Sequence, residues 1–287
     1  AERGKMCLVF LHVLVCPQSF TITISGSHTN EEMNEGLTIP SFVRKESMPS
    51  LSVFVGKNVS DQVMLIGDIA VPYGLQNADP CTARSCLWPK AKDGNVYVPY
   101  RISNQYSQRE KCIIKKGLKS FAKCTCVRFI PANCKRQRNF LDIKSDKGCY
   151  SYLGRQEGPQ VVSLEREGCV YQSTIQHELL HALGFKHEQS RSDRDLHVRI
   201  LLRNVEPGES KTPLRKVNTN NLGTPYDYNS VMHYGRYAFS RNGQPTIVPI
   251  PNPNVCIGRA TEMSANDILR VNRLYKCGKQ LEEEENE

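Results

Sequence analysis

"TIQHELLHALGFKHEQSRSDRD", residues 174–195, places three of the chain's seven histidines within eleven residues. The gaps between them are four residues and then six. The first gap is one helical turn, so His177 and His181 share a helix face and both imidazoles can reach one point. The second gap is not a helical spacing. Gly184 lies inside it, and glycine readily takes the left-handed conformation that ends a helix and reverses the chain. The stretch therefore predicts a helix carrying two groups, a sharp turn, and a third group, His187, returning from the other side. Three neutral imidazoles suit zinc and leave a fourth position open for water. Glu178 projects nearby without aiming at the same point, as a carboxylate held over that water would. An isolated HExxH occurs by chance in amphipathic helices, whereas the extended HExxHxxGxxH is far more specific.

The rest of the chain supplies the setting. Its 287 residues are enough for one large domain plus a smaller segment. The formal net charge is +9 although "LEEEENE" at residues 281–287 is acidic, so the remaining body is more basic still. That balance favours acidic or glycosylated surfaces. Without a zinc-finger pattern, a Walker loop or a basic stripe interleaved with aromatics, no nucleic-acid partner is expected. Residues 1–19 read as a secretory signal peptide, with a basic start, an apolar run from Met6 to Val15 and a polar exit. The run is far shorter than the about 20 residues a membrane span needs. Of the twelve cysteines, Cys7 and Cys16 would leave with that segment. The other ten are an even number scattered without CxxC pairs, which favours disulfides in an oxidising compartment.

Residues 20–76 have no cysteine, few aromatics and many Ser, Asn and Glu, a composition that suits a poorly packed leader. Asn58 heads the one N-glycosylation sequon. Cysteines begin at Cys81, which marks a boundary near residues 75–80. Beyond it "NVYVPYRIS" alternates as a strand does, and "REKCIIKKGLKSFAKC" sets Ile114, Leu118 and Phe121 on one helical stripe. "CVRFIP", "FLDIKS", "CYSYLG" and "QVVSLE" read as short strands. Residues 188–263 are rich in loop formers. "SANDILRVNRLYKC" reads as a final helix with Ser264 and Asp267 as a capping box. Residues 278–287 read as a solvated, disordered acidic tail.

HELLHALGFKH, continued as "EQSRSDRD" and followed about forty residues on by "SVMHYG" (Ser230–Gly235), resembles the zinc signature and Met-turn of the astacin family of metzincin metalloproteases. The similarity covers residues 77–277 and includes "TCVRF", "GCYSYLGR" and "QVVSLEREGCVY". Within the family the chain resembles fish hatching enzymes and their six-cysteine relatives, which share a CxxxxC pair like Cys81 and Cys86. The resemblance implies that His177, His181 and His187 bind one zinc per chain, that Glu178 is the general base, and that Met232 packs beneath the metal. It implies a second catalytic residue, Tyr234, which stabilises the oxyanion. Asp68 in "MLIGDIAVP" resembles the propeptide residue that blocks the zinc. Activation would follow cleavage within residues 74–79, before Asn77, by an activating protease. Glu188 matches the residue that reaches the new N-terminus, usually through water.

By the same resemblance the disulfides are Cys126–Cys277, Cys149–Cys169 and Cys81–Cys86, while Cys112, Cys124, Cys134 and Cys256 are left to form two further bridges. The implied fold is α+β: two subdomains around a cleft, a twisted sheet, the zinc-site helix and an irregular C-terminal half. "QVVSLE" would be the edge strand on which an extended polypeptide substrate pairs. The expected protein is a monomeric, secreted zinc endopeptidase made as a zymogen, with secretory granules as a storage site. Its substrates would be egg-envelope or other extracellular glycoproteins. The competing readings are an inactive extracellular binding protein of the same fold and an astacin protease with a non-hatching tissue role.

Overall fold

The computed structural model describes residues 63–72, 86–133, 137–207 and 213–278. Seven strands form one mixed sheet: β1 (Val63–Ile66), β2 (Ile69–Pro72), β3 (Val96–Ile102), β4 (Val127–Pro131), β5 (Phe140–Lys144), β6 (Cys149–Tyr152) and β7 (Pro159–Leu164). Their order across the sheet is β1-β2-β6-β7-β5-β3-β4. Helices α1 (Gln108–Ser120) and α2 (Gln172–Ala182) pack together against it. Gly117 makes the close approach possible, since a Cβ there would lie 2.4 Å from Ile175 Cγ2. Ile114, Leu118 and Phe121 are buried with Leu141, Ile143, Val162, Ile175 and Leu179, which is the stripe that the apolar spacing implies.

The C-terminal half has little regular structure. It contains a two-stranded ribbon, β8 (Val198–Ile200) with β9 (Ile247–Pro249), and helix α3 (Ala265–Leu274). A second apolar cluster, including Val198, Leu214, Tyr226, Tyr234 and Ile247, forms its own core. The α+β, two-subdomain expectation holds. Both capping-box bonds of Ser264 and Asp267 are present at the start of α3.

Three expectations need correction. The segment 63–72 is not poorly packed: β1 and β2 pair antiparallel, and β2 joins the sheet parallel to β6, with Ile69 opposite Ser151 and Ala70 opposite Tyr152. Secondly, β7 is not an edge strand, because it lies between β6 and β5. Both its neighbours are already made from the same domain, so the strand that faces the leader is β6. Thirdly, Cys112 forms no bridge. It sits on the exposed face of α1 and is free. Cys126–Cys277 and Cys149–Cys169 are formed, and Cys86, Cys124 and Cys256 are each disulfide-bonded. Cys81 and Cys134 lie outside the described residues, as do residues 1–19, Asn58, the 74–79 cleavage region and the tail beyond Gly278.

Candidate metal and catalytic site

Helix α2 is buried from Thr174 to Ala182, so its polar side chains must find partners inside the protein. The helix stops where the sequence requires it to. Gly184 has φ +105°, and Phe185 N–H returns to Leu180 O at 3.0 Å. The last carbonyls of α2 are satisfied from three other segments. Trp88 Nε1 donates to Ala182 O, Tyr275 Oη to Leu183 O, and Gly154 N to His181 O.

After the turn His187 faces the other two histidines. His181 Nε2 lies 3.1 Å from both His177 Nε2 and His187 Nε2. On the far sides of the rings, His177 Nδ1 is 2.8 Å from Val231 O and His181 Nδ1 is 2.7 Å from Phe185 O. A carbonyl can only accept, so both Nδ1 atoms carry protons, and in the neutral rings that a metal requires both Nε2 atoms turn lone pairs toward the centre. Asp68 closes the group. Its Oδ2 is 2.9 Å from His177 Nε2, and its Oδ1 is 2.8 Å from His187 Nε2 and 3.4 Å from His181 Nε2.

Lone pairs and a carboxylate converging in a buried pocket repel one another unless a cation lies between them. Tetrahedral zinc with Zn–N near 2.1 Å would set nitrogens roughly 3.4 Å apart, close to the spacing here. The ligand atoms of Asp68, His177, His181 and His187 all lie within 4.8 Å of one another. The donor set therefore fits zinc. Burial opposes ionisation of Asp68, but His187 and His177 outweigh it and hold its carboxyl well below the usual range.

Glu178 is fully buried, and neither of its carboxylate oxygens has a hydrogen-bond partner. Burial, reinforced by Asp68, raises its pKa well above that of an ordinary glutamate. Tyr234 donates from Oη to Asp68 Oδ1 at 3.0 Å, and its ring centroid is 4.2 Å from that of His187. Gly67 has φ +67°, and a Cβ there would stand 2.7 Å from Tyr234 Oη. The Gly-Asp pair thus fits against the tyrosine as well as the histidines.

Two supporting links cross the chain and were not legible in the motif. The turn holding Met232 is fixed by α3: Asp267 accepts from Ser230 Oγ at 2.6 Å and Val231 N at 2.9 Å, and Val231 O then orients His177. The capping-box acid of one helix thereby steadies a histidine on another. The second link involves Glu188, expected to reach a new N-terminus. In this chain it is held by Arg270, with Nη2 donating to Oε1 at 2.9 Å and Nη1 to Oε2 at 2.5 Å, and by Asp227 N–H at 2.7 Å. No sequence signal paired Glu188 with a residue 82 positions away.

A helix bearing two converging imidazoles, a glycine turn returning a third and a buried unpaired carboxylate define a zinc-dependent peptidase site. The model of the astacin peptidase family matches residues 83–276. High choriolytic enzyme 2 of Oryzias latipes is 49% identical over 226 residues, covering 78% of this chain and 80% of that protein. An astacin-like metalloendopeptidase of Gallus gallus is 42% identical over 221 residues, covering 77% of this chain and 53% of that protein. The solved structure of high choriolytic enzyme 1, a hatching enzyme zinc-protease from Oryzias latipes, matches with TM-score 0.66 at 50% identity, covering 70% of this chain and all of that one. The chain belongs to the astacin family and is a zinc-dependent metalloendopeptidase.

Proposed function

We propose that the protein is made as a secreted zymogen and, once its leader is removed, hydrolyses peptide bonds in extracellular proteins, with egg-envelope proteins as the foremost substrates. The observation that carries the reading is Glu178, a fully buried carboxylate with both oxygens free beside three converging imidazoles that Asp68 caps. The choriolytic relatives support the choice of substrate. Formed disulfides support an oxidising, extracellular setting. No helix among the described residues is long and apolar enough to cross a membrane.

In this reading His177, His181 and His187 hold one zinc, which when bound acidifies a water and polarises the scissile carbonyl. Glu178 takes the proton from the attacking water on an oxygen that no other group occupies, then delivers it to the leaving amine nitrogen. Once Asp68 has gone, the Tyr234 hydroxyl is released to donate to the developing oxyanion. An extended substrate takes the β6 edge that β2 had occupied. Residues 20–76 act as the propeptide, an activating protease cuts within 74–79, and residues 77–277 work as a monomeric catalytic domain.

Glu178→Gln tests the assignment, since it keeps the shape and removes no zinc ligand. Activated protein carrying it should retain about one zinc per chain. Its turnover on a peptide should fall by about 10²–10⁴-fold. Full turnover in this variant, or undiminished cleavage after a strong chelator has removed the metal, would overturn the mechanism. Failure to solubilise isolated egg envelope by an enzyme active on peptides would reject only the substrate.

A further inference from the structure

Helix α1 presents a face made of cations. Arg109, Lys115, Lys116 and Lys119, with Lys123 on the 3₁₀ turn that follows, are all exposed. At 3.6 residues per turn they share about a third of the helix circumference with Cys112, on the side opposite Ile114 and Leu118. Among the described residues none of these five cations makes an ion pair or hydrogen bond. The helix's one acid, Glu110, is already taken by Arg166 and by the backbone N–H of Ser107. Like charges three and four apart on a helix repel, so the face is uncompensated within the described fold.

The chain returns to this helix at its far end. Cys277 is bridged to Cys126 with a Cα–Cα distance of 5.4 Å, and Asn272 Nδ2 donates to Cys124 O at 2.8 Å. Lys123 directly precedes this anchored segment, and Gly278 leaves one residue after the bridge. The sequence then reads "KQLEEEENE", with glutamates at 282, 283, 284, 285 and 287. Nine residues can extend roughly 30 Å. The thirteen residues of α1 rise only roughly 20 Å. We propose that the acidic segment Glu282–Glu287 docks on the cationic face of α1.

Exposed Lys–Glu pairs are individually weak and screened by salt. Tethering offsets this by presenting several pairs at an effective concentration on the order of millimolar. The docked segment covers a surface suited to anionic polymers, so an external polyanion has to displace it first.

Cys112 is free and exposed within the face, and it supplies the probe. A nitroxide is attached there in the full-length, zinc-loaded Glu178→Gln protein, and paramagnetic broadening of amide signals 282–287 is measured. The expected result is loss of more than about half of their intensity at about 10 mM salt, recovered near 1 M salt where the Debye length shrinks to about 3 Å. Lys115→Glu with Lys119→Glu, both on the surface, should abolish the broadening at low salt. Removing residues 279–287 should strengthen binding of a heparin oligosaccharide several-fold. Unbroadened tail signals at low salt, broadening unaffected by salt or charge reversal, or oligosaccharide binding indifferent to the deletion would each overturn the docking. The segment would then be free in solvent or held elsewhere.

Discussion

Asp68 meets three imidazoles and a phenol at once, and every one of those partners belongs to the proposed catalytic machinery. A single carboxylate can therefore account for the latency of the proposed zymogen. Asp68→Ala leaves β1 and β2 in place and removes only that group, so the uncleaved variant should show partial peptidase activity that rises further after cleavage. Gly67→Ala should have the same sign by a different cause. Its Cβ would stand 2.7 Å from Tyr234 Oη on a backbone at φ +67°, forcing the loop off the tyrosine. Both variants are assayed on one peptide, with the intact leader confirmed by mass. An uncleaved Asp68→Ala protein as silent as the parent would assign latency to strand cover alone.

At the scale of elements, helix ends do more than stop helices. Asp267 caps α3 and also holds Ser230 and Val231, which in turn orient His177. Asp267→Ala should cost about 1–3 kcal/mol from the donors left buried and unpaired. It should also weaken zinc retention, whereas Ser264→Ala should lose the cap, about 1 kcal/mol, together with its bond to Asp227, and leave zinc retention unchanged. Thermal melts and metal content separate the two outcomes. The cap of α1 carries a pH signature instead. Ser107's backbone N–H and then Arg166 lower the Glu110 pKa from 4.5 to about 2. A depressed folded pKa stabilises above the unfolded value, and that contribution is lost as pH falls from 4.5 towards 2. Wild type should therefore lose melting temperature across that window more steeply than Glu110→Gln.

Across the whole molecule, two cores flank the site, and one long bridge closes the larger of them. Cys126 and Cys277 are 151 residues apart and join the start of β4 to the segment after α3. In the chain-entropy account closure of such a loop contributes about 5 kcal/mol, against about 3 for the 20-residue loop of Cys149–Cys169. Replacing both cysteines of the longer bridge by alanine should thus lower the melting temperature more than the same change at the shorter one. Most of this architecture was legible locally. Alternation gave β3, short strand-like runs gave β4 to β7, apolar spacing gave α1, and the histidine spacing with Gly184 gave α2, its turn and the cluster. What escaped was long-range pairing: β2 seated on β6, and Arg270 on Glu188. Each depends on two segments meeting across the fold, and a pattern within one segment does not encode its partner.

The span of that bridge has another consequence. A peptidase working among copies of itself exposes its own loops to cutting, and the loop-rich stretch after His187 is its least regular part. Any single cut between Cys126 and Cys277 leaves one half-cystine on each fragment. The two pieces stay on one covalent frame, with His177, His181 and His187 still pressed together by the packing around α2. Nicked molecules can thus remain assembled, and wear through use need not mean dissociation.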